Sequence, residues 1–173
     1  MILEGITTER LRFRSLNWDD YPIILKYVKD PIAMQHMPKV DDPEMFASAW
    51  VSRQMERYNK YGFSLSAVLE KESGHLIGQC GLIPQTVDGI EEIEIGYHFF
   101  PINWGKGFAT EAALACKKVG FQQLDVDYII SIIKPSNLPS AAVARKNGMK
   151  IWKHTTFKNI RVDIWRIDRP KKT

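Results

Sequence analysis

Three β-patterned runs follow one another with no helix between them, and a helix and a fourth buried run come directly after. That order constrains the fold more than any other feature of the chain. Phe63 to Leu69, His75 to Ile83 and Glu92 to Phe99 are rich in β-branched, aromatic and alternating residues. The breaks Glu72-Ser73-Gly74 and Val87-Asp88-Gly89 are short and end in glycine, so the runs join by tight turns as an antiparallel meander. The next run, Tyr128-Ile129-Ile130-Ser131-Ile132-Ile133, follows a helix. A strand reached in that way lies parallel to the 92–99 run, through a right-handed crossover.

The flanks complete the pattern. Residues 9–16 alternate apolar and polar and predict a first strand. Asn17 or Asp19 caps a helix over about 19–29, whose Tyr21, Ile24, Leu25 and Val28 share a face and which ends at Asp30-Pro31. Asp41-Asp42-Pro43-Glu44 opens a second helix to about Tyr58. A third helix runs to about Gln122. A short fourth helix starts at Pro135-Ser136-Asn137, reaches about Lys146 and stops at Asn147-Gly148. Residues 149–158 and 160–167 read as two strands turning at Asn159. The order β-α-α-β-β-β-α-β-α-β-β makes this an α/β (α+β) chain with a mixed, mostly antiparallel seven-stranded sheet and about four helices. At 173 residues, without linker or repeat, one domain over 1–173 is expected.

Composition narrows the class. An apolar share of 45% with 25% charged residues is that of an ordinary globular protein, and no apolar run approaches a membrane span. Met1-Ile2-Leu3-Glu4-Gly5-Ile6 lacks the basic region and cleavage site of a signal peptide, so a cytoplasmic protein is expected. Cys80 and Cys116 sit among apolar neighbours, without Cys-x-x-Cys spacing or a nearby His, and read as buried thiols; no metal is expected. The net charge is only +4 and the basic residues are dispersed, apart from Arg166, Arg169, Lys171 and Lys172. Nucleic acid is not an expected partner.

Between the meander and the crossover helix lies Asn103-Trp104-Gly105-Lys106-Gly107-Phe108-Ala109-Thr110-Glu111-Ala112, a glycine turn that runs into a good helix former. The turn and the first-turn amides, aided by the helix dipole, suit a phosphate or pyrophosphate. It is not a P-loop, since Phe100 and Gly107 stand where a Gly and a Ser or Thr are required, and Thr110 stands where a dinucleotide fingerprint needs its third Gly. On these residues alone the alternatives are an anion site and an ordinary turn.

The residues taken together resemble the GNAT superfamily of N-acetyltransferases, in particular the branch of ribosomal-protein N-terminal (alanine, serine) acetyltransferases. Thr8 to Arg14 with Asp19-Asp20 looks like that branch's opening, and Glu94-Ile95-Gly96-Tyr97 like its fourth strand. Trp104 to Ala112 is similar to its acetyl-CoA loop, while Asn137-Leu138-Pro139-Ser140 with Lys146-Asn147-Gly148-Met149 resembles its second cofactor motif. Val162-Asp163 fits near the end. The resemblance implies the GNAT fold and acetyl-CoA as cosubstrate. Its pyrophosphate would lie on the stretch Trp104, Gly105, Lys106, Gly107, Phe108, Ala109 and Thr110, with Asn137 and Ser140 as further cofactor contacts. It also implies a backbone N–H of Gly96 or Tyr97 facing the acetyl carbonyl. Lys106 adds charge there or is simply solvated, and Glu111 suits the helix dipole as a stabilising residue.

Acetyl transfer to an amine needs a deprotonated nucleophile, a stabilised oxyanion and a proton for the departing thiolate. Glu92, Glu94, Gly96 and His98 share one strand face. Glu94 is the candidate general base, with substrate positioning or a solvated structural role as its alternative, and His98 is a rival base. Gly96 within a strand suggests a bulge or close ligand approach. Many family members carry a tyrosine seven residues after the second motif's asparagine, where this chain has Ala144, so Ser140 is the candidate acid. The acceptor is a primary amine, a protein N-terminus or a small molecule, in a site formed by the two N-terminal helices, their connector and the last hairpin. Met34, His36, Met37, Trp50, Tyr61 and Phe63 make that region apolar. Asp41, Asp42 and Glu44 are the nearest thing to an acidic cluster. A non-catalytic acetyl-CoA-binding module is the alternative, and the chain is a monomer or homodimer.

Overall fold

Residues 1–171 are described by a computed structural model, so Lys172 of the terminal basic cluster lies outside the described residues. The elements are β1 (Leu11–Ser15), α1 (Tyr21–Lys29), α2 (Pro43–Tyr61), β2 (Leu65–Glu70), β3 (Leu76–Val87), β4 (Ile90–Phe99), α3 (Phe108–Gln123), β5 (Tyr128–Ile133), α4 (Leu138–Lys146), β6 (Lys150–Phe157) and β7 (Ile160–Asp168). The seven strands form one sheet in the order β1-β2-β3-β4-β5-β7-β6. Every joint is antiparallel except the parallel one between β4 and β5. This is the expected architecture.

Local chemistry accounts for the element ends. Asn17 accepts the Asp19 N–H at 2.8 Å and starts a short 3-10 turn over Trp18–Asp20, which leads into α1 with Pro22 in its first turn. Asp42 caps α2 by accepting from the amides of Glu44 and Met45 at 3.0 and 2.9 Å. That helix runs past Tyr58 to Tyr61, where Gly62 at φ 80° stops it. The first strand is shorter than the 9–16 run, because Thr7 and Thr8 turn back on it.

The third strand is longer than the sequence pattern, reaching Val87 through Pro84. Proline lacks a ladder donor, but β2 pairs with β3 only as far as Leu65↔Gly81, so residues 82–87 have no neighbour on that side. The missing N–H costs the ladder nothing there.

Two apolar layers sandwich the sheet. Helices α1 and α2 cover one face, burying Ile24, Tyr27, Trp50 and Val51 against Leu65, Ala67 and Ile83. Helices α3 and α4 cover the other, burying Phe108, Ala112, Cys116 and Ala144 against Leu82, Ile95, Phe99 and Ile129. Burying a side chain such as Ile95 contributes roughly 2 kcal/mol. Cys80 and Cys116 are free and buried, with Sγ atoms 3.4 Å apart in this second layer. Alternation on β4 therefore turns Glu94, Gly96 and His98 toward α1 and α2, and Ile93, Ile95, Tyr97 and Phe99 toward α3 and α4.

Candidate active site

The parallel joint is where the sheet opens. β4 and β5 share one ladder pairing, Glu94↔Ile130, and then part. Side chains bridge the parting strands: Ser131 Oγ donates to the Ile95 carbonyl at 2.8 Å, and the Ile132 N–H reaches Glu94 Oε1 at 3.4 Å. Since the Ile95 carbonyl faces β5, antiparallel alternation along β3 and β4 directs the N–H of Tyr97 to that side as well, into the gap. Gly96 faces β3 instead.

Gly96 corrects one expectation. The β3–β4 register runs without a shift through Gly81↔Gly96, so no bulge exists. A Cβ at Gly96 would meet Ile83 Cδ1 at 2.6 Å and Leu65 Cδ2 at 3.5 Å. A side chain at this position would have to displace the end of Ile83.

At the end of β4 the chain makes a 3-10 turn over Pro101–Asn103 and enters the glycine turn. Gly105 and Gly107 have φ of 74° and 83°, in the left-handed region that favours glycine. Gly107 is the N-cap of α3, and no side chain caps that end, so its first amides are open. A Cβ at Gly105 would meet nothing within 4 Å. The Trp104 indole N–H donates to the Phe99 carbonyl at 2.7 Å, which ties the turn to β4. Lys106 is exposed, Ala109 and Thr110 are half-buried in the helix's first turn, and Phe108 is buried. Only the backbone of Phe108 is thus available to a ligand.

Arg10 is a part of this site that the sequence reading missed. Its guanidinium donates to the Lys106 carbonyl at 2.9 Å, lies 4.6 Å from the centre of the Phe108 ring and pairs with Glu111 at 2.7 Å. Glu111 also accepts from the Thr8 hydroxyl at 2.5 Å and the Arg10 N–H at 2.8 Å. Burial works to raise the Glu111 carboxyl, and the bonds from Thr8 and Arg10 outweigh it, leaving it below its ordinary value. Glu111 is therefore a brace between the N-terminal segment and the turn, through contacts that the dipole argument did not include. No local pattern reveals Arg10, whose partner lies 101 residues away.

The second motif closes the other wall. Asn137 Oδ1 accepts the Ser140 N–H at 3.2 Å and caps α4. The Tyr97 hydroxyl donates to the Ser140 carbonyl at 2.8 Å, linking β4 to the start of α4 across the gap. Burial raises the Tyr97 phenol, which keeps its proton. Ala144 is buried at 1% exposure within the α3–α4 layer.

Glu94 and His98 sit on the opposite side. Burial pushes the Glu94 carboxyl above its ordinary value, while the Gln85 side chain, donating at 2.7 Å, and the Ile132 amide draw it back. His98 stands edge-on to Trp50 and Tyr27, with ring centroids 4.9 and 6.2 Å away. Burial alone lowers its imidazole to about 4, so it is neutral near pH 7 and a weak base. The aromatic wall is completed by Phe100 and Phe46. Trp50 and Phe63 are core, Met34, His36 and Met37 are half-buried, and Tyr61 is 38% exposed. Asp42 caps its helix, while Asp41 and Glu44 pair with Lys39 and Lys29 at 3.8 and 3.3 Å. Among the described residues, no group of three His, Cys, Asp or Glu is arranged for a metal, and no helix is long and apolar enough to cross a membrane.

The chain belongs to the acetyltransferase (GNAT) domain family, whose description it matches over residues 10–150. It is 33% identical over 145 residues to the uncharacterized protein YkkB of Bacillus subtilis, covering 83% of this chain and 84% of that one. An acetyltransferase from Agrobacterium tumefaciens superposes with a TM-score of 0.83 at 24% identity, over 95% of this chain and 94% of the other. A spermidine N-acetyltransferase from Vibrio cholerae, in complex with CoA and spermine, shares the fold with a TM-score of 0.74 at 16% identity, over 94% and 97% of the two chains. The protein is an acetyltransferase of this family, with its sheet opened between β4 and β5.

Proposed function

We propose that the protein transfers the acetyl group of acetyl-CoA directly to a primary amine within a ternary complex. The observation that carries this is the alignment of an uncapped glycine turn, an open strand joint and the α4 cap along one edge of β4. The residues fit the cosubstrate. The open amides of residues 105–110 suit its pyrophosphate, Gly105 leaves the room a close approach needs, and Asn137 and Ser140 stand at the start of α4, which the Tyr97 hydroxyl ties to β4. Binding of CoA by the structurally similar spermidine enzyme supports the same reading.

In this reading the amine nitrogen attacks the acetyl carbon, and the Tyr97 N–H stabilises the oxyanion that forms. Glu94 takes the amine's proton, directly or through a water; its raised pKa makes it a better base near neutrality. The carbon–sulfur bond then breaks, and the Ser140 hydroxyl relays a proton to the thiolate while a water proton replaces its own. An α-amine, with a reference pKa of about 7.7 to 8.0, needs less help than a lysine side chain. The motifs shared with the ribosomal-protein branch favour a protein N-terminus or a small α-amine as acceptor.

The test is release of free CoA from acetyl-CoA, followed by thiol detection, against N-terminal peptides, polyamines, aminoglycosides and amino-acid analogues. Acetylated amine equal to the CoA released is the expected result. Tight acetyl-CoA binding without release across the panel would favour the non-catalytic alternative.

A further inference from the structure

A cationic cavity lies beside Glu94. It has a volume of about 390 Å³ and is lined in part by Arg57 of α2, Gln85 and Thr86 of β3, and Phe157 and Lys158 of the last hairpin. Gln85, a residue of the cavity wall, donates to Glu94 at 2.7 Å, so one side chain stands between the cavity and the candidate base. The hairpin is held over it by Asp88, which accepts from Lys153 at 2.7 Å and from Thr155 at 2.6 Å. That acid, the cavity's own carboxylate, is thereby neutralised. Arg57 and Lys158 have no carboxylate within salt-bridge distance among the described residues. Arg53 lies one turn before Arg57 on the same helix face, a like-charge spacing that costs a helix stability. Burial lowers both the Arg57 and Lys158 side chains, Arg53 lowers each further and Glu94 raises each, so the three cations feel one another and the Glu94 carboxylate. Arg57 and Lys158 on the cavity wall, with Arg53 one turn away on α2, outnumber the Glu94 carboxylate, and the positive charge left over suits an anion.

That anion is not the cosubstrate's phosphate. The cavity lies at the start of β4, where Glu91 pairs with Thr86, and the glycine turn follows Phe99 at the other end. Eight residue steps along the strand, from Glu91 to Phe99, separate them, roughly 26 Å at the usual rise. We propose that the acceptor is a small amine that also carries a carboxylate or phosphate group, which Arg57 and Lys158 hold while Glu94 receives the amine's proton. Arg53, one turn before Arg57 on α2, strengthens the field. The volume is that of a small-molecule site. A polycation is excluded by the same charges, in contrast to the spermidine enzyme that shares the fold. The proposal rests on the acetyltransfer reading given above.

The experiment uses matched acceptors in the CoA-release assay. Amino acids are compared with their methyl esters, phosphoethanolamine with ethanolamine, and both pairs with spermidine and a neutral N-terminal peptide. The anionic member of at least one pair is expected to show a kcat/KM at least tenfold higher, and the pair that does so identifies carboxylate or phosphate. Arg57→Gln with Lys158→Gln should raise its KM at least tenfold, with acetyl-CoA affinity unchanged by direct binding. Lys158→Gln alone, at an exposed turn, should raise KM in the same direction without risk to folding. Equal or better use of the esters, ethanolamine, spermidine or the neutral peptide would overturn the proposal, as would an anion preference that survives both variants. If no acceptor releases CoA, the acetyltransfer reading fails on its own. Calorimetric binding of phosphoethanolamine and of the amino acids to the CoA-loaded protein then decides: tenfold tighter binding to wild type than to the double variant supports the anion site, and equal binding refutes it.

Discussion

Ser131 donates its hydroxyl to the carbonyl of Ile95 at 2.8 Å, replacing the ladder bond that β4 and β5 no longer make. The gap through which acetyl transfer is proposed thus has a braced edge. Ser131→Ala leaves a buried carbonyl without a partner, which costs about 1–3 kcal/mol. For a chain of this length the melting temperature should fall by about 2–4 °C per kcal/mol, as calorimetry would show. An unchanged melting point would mean that water replaces the hydroxyl.

Gly107→Ala tests the glycine turn. Its φ of 83° disfavours any L side chain, and the new Cβ would stand 3.4 Å from the Arg10 guanidinium. A stability loss of about 1–2 kcal/mol is expected. The KM for acetyl-CoA should rise more than kcat falls. A variant that lost stability but bound acetyl-CoA normally would assign the turn to structure alone.

Ser140→Ala separates acid catalysis from cofactor binding. Its amide is already held by Asn137 and its carbonyl by Tyr97, so removing the hydroxyl leaves the α4 cap in place. Turnover should fall about tenfold or more, with little change in acetyl-CoA affinity, in steady-state kinetics. Unchanged turnover would remove Ser140 from the mechanism.

His98 makes a prediction about stability. Its imidazole titrates near 4 in the fold and near 6.5 when unfolded. The unfolded chain therefore binds the proton first, and stability present above pH 6.5 is lost as pH falls toward 4, by on the order of 3 kcal/mol. His98→Leu should flatten that part of a denaturant-midpoint profile. An unaltered profile would place the acid sensitivity in another group.

The sheet was legible because its cues are local: alternation in β2 and β4, glycine turns at Gly74 and Gly89, and the crossover before Tyr128 all act over a few residues. The extension of β3 through Pro84 was not, because tolerance of that proline depends on where a different strand ends. The glycine turn and the Asn137 cap were likewise readable as helix starts. Arg10, the side chain that packs against Gly96, and the meeting of Arg57 with Lys158 join positions distant in sequence, and no spacing rule reports them. His98 and Glu94 share a strand face, yet only their neighbours separate them: aromatic rings disarm the one, and Gln85 and the Ile132 amide orient the other.

The most direct measurement is the pH dependence of kcat/KM for CoA release by wild type and Glu94→Gln. Glu94 is raised by burial, so its carboxylate, the active form, is lost as pH falls through a value above its ordinary one. The raised value also means that the ionised carboxylate destabilises the fold above that pH, so Glu94→Gln should melt higher at neutral pH. At low pH the wild-type profile should fall with a limiting slope of two, one proton for the amine and one for Glu94. The variant should fall with a slope of one and lie roughly 10²-fold or more below wild type at its plateau. A variant with wild-type rates and an unchanged slope would contradict Glu94 as the base.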